Sequence, residues 1–376
     1  MKHVLEVLPV DPAHPTAILD DLEEAIAGQR SLLPVPANDS VRTNLLKNTL
    51  KAGRDIDDRI ALVVSTSGST GTPKGAQLTP ANLVASADAT HQYLGGPGQW
   101  LLAMPAHHIA GIQVLVRSLI AGVEPAACDL THGFDVAEFA YLAQELNSTG
   151  DRCYTSLTPM QLSKAMDTLQ GIDALRLFDA ILVGGAATSP KVLDSARKLR
   201  VKVVTTYGSS ETAGGCVYDG QPIAGAQVRV RNGRIYLGGP MIAHGYRNLP
   251  EHEAFEHPGW FATSDGGTLD DDHLTVTGRL DAVIDSGGLK LHPEVLEKFM
   301  LALDGVDSAC VVGAPDERLG QRIVAAYTGS ATRADLLEAL DELPRWQIPK
   351  DIVHLDAMPV IGPGKVDRQK VSELFA

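Results

Sequence analysis

No stretch of this chain approaches the roughly 20 consecutive apolar residues that a membrane-crossing helix needs. Its opening, MKHVLEVLPVDPAHP, has an early lysine but no sustained apolar run, so neither a membrane span nor a secretory leader is expected. Cysteine is sparse: Cys128, Cys153, Cys216 and Cys310 stand far apart with no Cys-x-x-Cys pair. That argues against a zinc site or disulfide framework and points to reduced thiols in a cytoplasmic protein. Basic residues are in the minority, 32 Lys and Arg against 46 Asp and Glu, for a formal charge of −14. Nucleic-acid backbones need clustered Lys and Arg, so no nucleic-acid partner is expected. A nucleotide ligand stays open, because a few backbone N–H groups and one local charge suffice for it.

What is present suits a globular enzyme. The chain has 376 residues, 44% of them hydrophobic, and a prior of roughly 100–200 residues per domain suggests two or three domains. Apolar β-rich runs at Ile60–Val64, Trp100–Met104, Ala180–Val183 and Val201–Thr205 alternate with helical patterns at Pro80–Tyr93, Val136–Leu146, Pro159–Thr168 and Pro190–Leu199. Strands spaced by helices imply an α/β fold with mostly parallel sheets covered on both faces. From about Ala224 the texture changes to short strands broken by Gly and Asn turns (Gln227–Val230, Arg234–Leu237, Leu274–Thr277), a small antiparallel β-region. Beyond Gly278–Asp281 a helix, two strands and a helix follow. The expected division is a large N-terminal domain, residues 1–278, and a small α+β lid domain, residues 279–376.

One loop carries the first chemical signal. Thr66-Ser67-Gly68-Ser69-Thr70-Gly71-Thr72-Pro73-Lys74-Gly75 lies between a strand and the helix starting at Pro80. Its glycines let the backbone approach an anion closely. Five hydroxyls between Thr66 and Thr72 offer donors to phosphate oxygens, and Lys74 adds a mobile positive charge. A Ser/Gly linker would share this composition but not this position between two regular elements. The spacing is not that of a Walker A loop, which ends in Gly-Lys-Ser/Thr, and there is no Gly-x-Gly-x-x-Gly for a dinucleotide.

The loop resembles the signature phosphate loop of the adenylate-forming superfamily: acyl-CoA synthetases, luciferases and peptide-synthetase adenylation domains. Further segments look like that family's motifs, in its order. Pro105-Ala106-His107-His108-Ile109-Ala110-Gly111 resembles Pro-x-x-His-x-x-Gly, which implies that His108 lines the acyl pocket or pantetheine tunnel; taken alone, the pair reads as buried core histidine. Gly184-Gly185-Ala186 resembles the turn against adenine and acyl group. Tyr207-Gly208-Ser209-Ser210-Glu211 resembles Tyr-Gly-x-Thr-Glu, implying an adenine platform at Tyr207, an α-phosphate hydroxyl at Ser210 and a Mg²⁺ carboxylate at Glu211. Trp260-Phe261-Ala262-Thr263-Ser264-Asp265 is similar to aromatic-x-Thr-Gly-Asp, with Ser264 in place of Gly, and implies ribose contacts from Asp265. Gly278-Arg279-Leu280-Asp281 looks like the hinge, with Arg279 also reaching the ribose and Asp281 as pivot. Gly287-Gly288 looks like the lid face that borders the pantetheine channel, and Pro359–Arg368 like the tail presenting a catalytic lysine, Lys365.

The resemblance, spanning about residues 60–370, implies ATP with Mg²⁺, a small-molecule carboxylic acid and coenzyme A as the partners, joined through an acyl-adenylate. Relatives usually have a longer region before the phosphate loop, so a reduced N-terminal subdomain is expected. Within the superfamily, that shortness and the run Thr206–Gly220 look most like the aromatic-acid ligases of menaquinone biosynthesis in their short actinobacterial form. Their substrate has two carboxylates, so a cation should face the one not activated; His107, Arg117 and Lys164 are candidates. Another aromatic acyl-CoA ligase, a carrier-loading adenylation enzyme and a non-catalytic nucleotide binder are the competing readings. Homo-oligomerisation is compatible with the sequence and not indicated by it.

Overall fold

The computed structural model describes residues 2–66, 72–361 and 365–375. The chain builds one five-stranded and one seven-stranded sheet, a small antiparallel sheet, and a C-terminal α+β unit.

The first sheet has the order β3-β1-β2-β4-β5. It comprises β1 (Lys2–Val10), β2 (Ser31–Pro36), β3 (Asp55–Asp57), β4 (Leu62–Ser65) and β5 (Gly75–Leu78). β1, β2 and β4 are parallel, while β3 and β5 run antiparallel at the edges. Sequence patterning misses most of this sheet, and β2 shows why: Ser31-Leu32-Leu33-Pro34-Val35-Pro36 contains two prolines, which ordinarily argue against a central strand. Its pairing to β4 is confined to Leu32↔Leu62. The Leu32 N–H donates to the Ala61 carbonyl at 2.8 Å, and positions 34 and 36 share its phase. Their missing N–H groups face the side where pairing has ended.

The second sheet has the order β12-β11-β10-β9-β8-β6-β7. Its members are β6 (Gln99–Leu102), β7 (Ala126–Ala127), β8 (Cys153–Leu157), β9 (Ala180–Val183), β10 (Val203–Ser209), β11 (Gly214–Tyr218) and β12 (Gln221–Pro222). From β7 to β10 it is parallel; β11 and β12 turn antiparallel. Both faces are covered, as side-chain alternation shows. Trp100, Leu102, Tyr154, Ala180 and Leu182 enter one core; Leu101, Cys153, Leu157, Ile181 and Val183 enter the other. The first core holds α1 (Leu19–Ile26), α3 (Pro80–Tyr93) and α4 (Ile109–Ala121) between the two sheets. The second is closed by α5 (Val136–Asn147), α6 (Pro159–Met166), α7 (Leu169–Leu175) and α8 (Pro190–Lys198). On the far face of the first sheet lies α2 (Ser40–Thr49), which packs Leu46 there.

Helix starts follow local chemistry. Thr79-Pro80-Ala81-Asn82 and Thr158-Pro159-Met160-Gln161 each make a reciprocal capping box with Pro at the first helical position. Such caps contribute about 1 kcal/mol each and fix the chain direction just beyond β5 and β8. The small antiparallel sheet is β13 (Gln227–Arg231), β14 (Arg234–Gly238), β15 (Trp260–Asp270) and β16 (His273–Arg279).

After Asp281 comes the C-terminal unit: β17 (Ile284–Ser286), β18 (Leu289–Leu291), α9 (Pro293–Ala302), β19 (Val306–Asp316), β20 (Gly320–Gly329), α10 (Arg333–Leu340) and β21 (Asp351–His354). Its last elements are the hairpin β22 (Val360–Ile361) and β23 (Lys365–Val366), and α11 (Arg368–Glu373). It has its own cores on the two faces of β19–β20. Glu297 of α9 is bridged to Arg368 of α11 at 2.7 Å, which ties the tail bearing β23 to the unit's body.

Candidate functional site

The phosphate-like loop is the connection of an antiparallel pair. Ser65 of β4 stands opposite Gly75 of β5, and the Thr66 N–H donates to the Lys74 carbonyl at 2.8 Å. Asn248 clamps the second leg: its Oδ1 accepts from the Gly75 N–H at 3.1 Å and its Nδ2 donates to the Pro73 carbonyl at 3.0 Å. Thr66 is half-buried and Thr72 exposed at the two legs; Ser67, Gly68, Ser69, Thr70 and Gly71 lie outside the described residues, as do Gly362, Pro363 and Gly364 of the tail motif. Lys74 places Nζ 3.0 Å from His252 Nε2 and 5.2 Å from the ring centre of Tyr246.

Beside the loop, β10 ends in a bulge between Tyr207 and Gly208. A Cβ at Gly208 would strike the Gly214 carbonyl, so only glycine allows β11 to approach there. Ser209 then caps a short 3₁₀ turn, Ser210–Thr212, accepting from the Glu211 N–H at 3.3 Å. This turn buries Ser210 and Glu211. Ser210 Oγ donates to the Ser65 carbonyl at 3.4 Å, which brings its hydroxyl to the loop. Glu211 Oε1 accepts from the Tyr246 hydroxyl at 2.6 Å. Tyr207 in turn donates to Asp265 Oδ2 at 2.6 Å. Burial, reinforced by the neighbouring carboxylate, pushes both phenols well above their ordinary range, so both are donors at neutral pH. Gly184, Gly185 and Ala186 follow β9, with Gly184 packed on Thr206 and Gly185 at φ +82°.

Sheet register brings in the next pair. Asp265 of β15 lies directly opposite Arg279 of β16, with Arg279 Nη1 at 3.6 Å from Asp265 Oδ1. The same guanidinium grips Asp281 through Nε at 2.9 Å and Nη2 at 2.5 Å. Asp281 sits in the 3₁₀ turn Leu280–Ala282 that leads into the C-terminal unit. Lys365, from β23 of that unit, arrives at this cluster. Burial holds its amine below the ordinary lysine range; Glu211 and Asp265 oppose that shift and Arg279 adds to it. Residues more than 150 positions apart therefore share one electrostatic neighbourhood.

His108 is the N-cap of α4, and its ring lies 4.2 Å from that of His107. Burial pulls His108 down to about 3 and His107 to about 4; Arg42 contributes to both shifts and Lys365 to that of His108. Both imidazoles are neutral at pH 7. Gly287 and Gly288 are not part of this gathering: they form the exposed turn between β17 and β18, bonded to Leu319 and Asp285 of their own unit.

Sequence reasoning missed Tyr246, Asn248 and His252, which hold Glu211, the loop's second leg and Lys74 respectively. They come from an irregular segment with no periodicity, and their value depends on packing against residues far away in sequence. Among the described residues no group of three or more His, Cys, Asp or Glu is arranged for a metal ion. Mg²⁺ carried by a triphosphate takes most ligands from phosphate oxygens and water and needs one or two protein carboxylates; Glu211, with the Ser210 hydroxyl beside it, fits that demand.

Comparison with known proteins agrees with this geometry. Residues 7–247 match the model of the AMP-binding enzyme family, and residues 295–365 that of the AMP-binding enzyme C-terminal domain. A probable 2-succinylbenzoate–CoA ligase of Mycobacterium tuberculosis is 43% identical over 373 residues, covering 96% of this chain and 95% of the relative. The 2-succinylbenzoate–CoA ligase of Escherichia coli K12 is 30% identical, covering 98% of this chain and 81% of the relative. Among solved structures, o-succinylbenzoate CoA synthetase from Bacillus subtilis in complex with its acyl-adenylate superposes with a TM-score of 0.83 at 22% identity, over 99% of this chain and 88% of the other. It shares the large N-terminal and small C-terminal architecture.

Proposed function

Because the chain belongs to the AMP-binding enzyme family, we propose that it is an ATP-dependent acid–CoA ligase whose acid is 2-succinylbenzoate. One carboxylate oxygen of the acid attacks the α-phosphorus of ATP, the bond to the bridging oxygen breaks, and pyrophosphate leaves. The CoA thiol then attacks the acyl carbon, AMP departs, and the thiol proton is lost to solvent or base. The products are succinylbenzoyl-CoA, AMP and pyrophosphate.

The observation that carries this reading is the pairing of Asp265 with Arg279 beside the hinge turn, with the buried Lys365 amine in electrostatic reach of both and of Glu211. Adenylation gathers negative charge on phosphate and carboxylate together, so positioned cations and donors do most of the work. In this reading Lys365 bridges the attacking carboxylate and the α-phosphate. Lys74 and the Thr66–Thr72 loop hold the β- and γ-phosphates. Asp265 and Arg279 hold the ribose, Tyr207 the adenine, and Gly184–Ala186 the space between adenine and acyl group. Mg²⁺ on Glu211 would neutralise phosphate charge. The lysine's depressed affinity for its proton reflects a dry site, where electrostatic contacts are strong.

The second half-reaction needs room for a thiol where Lys365 now stands. We place the division between the two domains at residues 278 and 279, with the lid turning about Asp281 to withdraw Lys365 and bring Gly287–Gly288 to the opening. Here those glycines are bonded within their own unit, to Leu319 and Asp285.

The test is mass spectrometry of the protein with Mg-ATP, CoA and 2-succinylbenzoate, with benzoate and a medium-chain fatty acid run in parallel. Succinylbenzoyl-CoA with AMP, formed only from the first acid, is the expected result. AMP formed from a different acid alone would discard the substrate, and no AMP from any acid would discard the ligase.

A further inference from the structure

Two of the cations expected to face a second carboxylate do not join the gathered cluster. Lys164 is exposed on α6 and donates to the Phe134 carbonyl at 2.6 Å. Arg117, only 3% exposed, donates to the Tyr218 hydroxyl at 3.4 Å and lies 4.9 Å from the Trp100 ring, in the core between the sheets. What the C-terminal unit does bring to the cluster, besides Lys365, is a carboxylate.

Glu294 stands in the first turn of α9, past the turn that carries Asp281. An acid at that place ordinarily serves its own helix, and here the N-cap, His292, makes no side-chain cap. Glu294 is turned instead to the end of β16, where its Oε1 accepts from the Arg279 N–H at 2.9 Å. The approach is so close that a Cβ at Gly278 would lie 2.3 Å from Glu294 Oε2. Gly278 also has φ +135°, so backbone and space both call for glycine there. Behind Glu294, Arg368 Nη2 lies 3.9 Å from Oε1 and donates to Glu297 at 2.8 Å, which ties the carboxylate to the lid's body.

These contacts straddle the proposed pivot. Gly278 and Arg279 end a strand of the small antiparallel sheet, whereas Glu294, Glu297 and Arg368 belong to the C-terminal unit. Arg279 is thus held twice, its side chain by Asp265 and Asp281 and its N–H by Glu294. A rotation at Asp281 carries Glu294 away from that N–H, so the bond exists only near the present lid angle. Lys191 and Asp304, 3.1 Å apart, also span the two units, but both are exposed, where an ion pair contributes little. We propose that Glu294 is a positioning residue: a latch across the hinge that holds the lid where Lys365 reaches the site and lets go when the lid turns for thiol transfer. This rests on the two-step reading above and on its pivot at Asp281. Both partners regain water on opening, so the bond biases the lid without locking it.

The test reads the lid angle directly in K191C/D304C, whose new thiols face each other across the two units while the four native cysteines are buried. A short bismaleimide joins them only near this angle. Adding E294A should slow cross-linking of the ligand-free protein about threefold or more, the scale of one lost hydrogen bond to a charged group. E294Q, which keeps an acceptor oxygen, should fall between. In single-turnover assays without the added cysteines, E294A should lower adenylate formation about fivefold or more. Transfer from supplied acyl-adenylate should stay within about twofold and KM for ATP within about threefold; circular dichroism checks folding. Unchanged cross-linking, or equal losses in both half-reactions, would overturn the latch, the second outcome making Glu294 a support of the lid's own fold. Wild-type protein that adenylates no acid would refute the ligase reading instead, while cross-linking, which needs no substrate, still decides whether Glu294 holds the lid.

Discussion

The two ring nitrogens of His252 serve two different donors: Nδ1 accepts from the Ala254 N–H at 3.1 Å and Nε2 stands 3.0 Å from Lys74 Nζ. A neutral imidazole has one acceptor nitrogen, so only one of these donors is satisfied at a time. Lys74 is thus steered without being locked, which leaves its ammonium donors for the phosphate oxygens it is proposed to hold.

Replacing that steering contact by a true ion pair should be harmful. H252E puts a carboxylate within reach of Lys74, where it sequesters the ammonium and repels a triphosphate. KM for ATP is expected to rise about tenfold or more, on the order of 1.4 kcal/mol, whereas H252Q, which is uncharged and can still cap the turn, stays within about threefold. Initial rates at varied Mg-ATP check this; equal KM values for the two variants would remove the role given to the contact.

Tyr246 should matter through Glu211. Y246F deletes the 2.6 Å hydrogen bond to a carboxylate that is only 6% exposed, leaving a buried acceptor short of a donor at about 1–3 kcal/mol. The expected outcome is a lower melting temperature together with a several-fold higher Mg²⁺ requirement for pyrophosphate exchange. A melting change alone would reduce Tyr246 to a structural part.

On the proposed mechanism Lys365 serves one half-reaction and not the other. K365A should lower adenylate formation by a hundredfold or more, an effect of roughly 2.7 kcal/mol or above, and leave transfer from supplied acyl-adenylate to CoA within a few-fold. Single-turnover assays of each half-reaction decide it; equal losses in both would dismiss the lysine's assigned role.

The paired histidines make stability pH-dependent in a definite direction. Unfolded imidazoles titrate near 6.5, while burial holds His107 to about 4 and His108 to about 3 in the folded chain. As pH falls below about 6.5 the unfolded chain takes up protons that the native one refuses, so stability drops down to pH 4 for His107 and 3 for His108. H107Q/H108Q should flatten the fall in melting temperature between pH 7 and 5 relative to wild type. Parallel profiles would place the acid sensitivity elsewhere.

Sequence reading worked where the signal is local. Pro80–Tyr93 and Ala180–Val183 keep the limits that their patterning suggests. The small antiparallel sheet appears where the Gly and Asn turns place it. The first sheet was hidden, because β2 carries its prolines at an unpaired margin and β3 has three residues. β7 and β12 have two residues each, too few for any alternation to register. In the site, Glu211, Asp265, Arg279 and Lys365 stand in recognisable local runs, whereas Tyr246, Asn248 and His252 acquire meaning only across folded distances. Lys74 and His252, for example, are separated by 178 positions.

Arg279 is held on one side by Asp265 and on the other by Asp281. If the lid turns at Asp281, that side chain cannot keep both partners in place through the rotation. Nucleotide affinity and lid angle are then one thermodynamic quantity seen from two ends: a ligand that steadies Arg279 against Asp265 biases the rotation, and by reciprocity the rotation alters how tightly AMP is kept. Release of the last product would accordingly be timed by the joint.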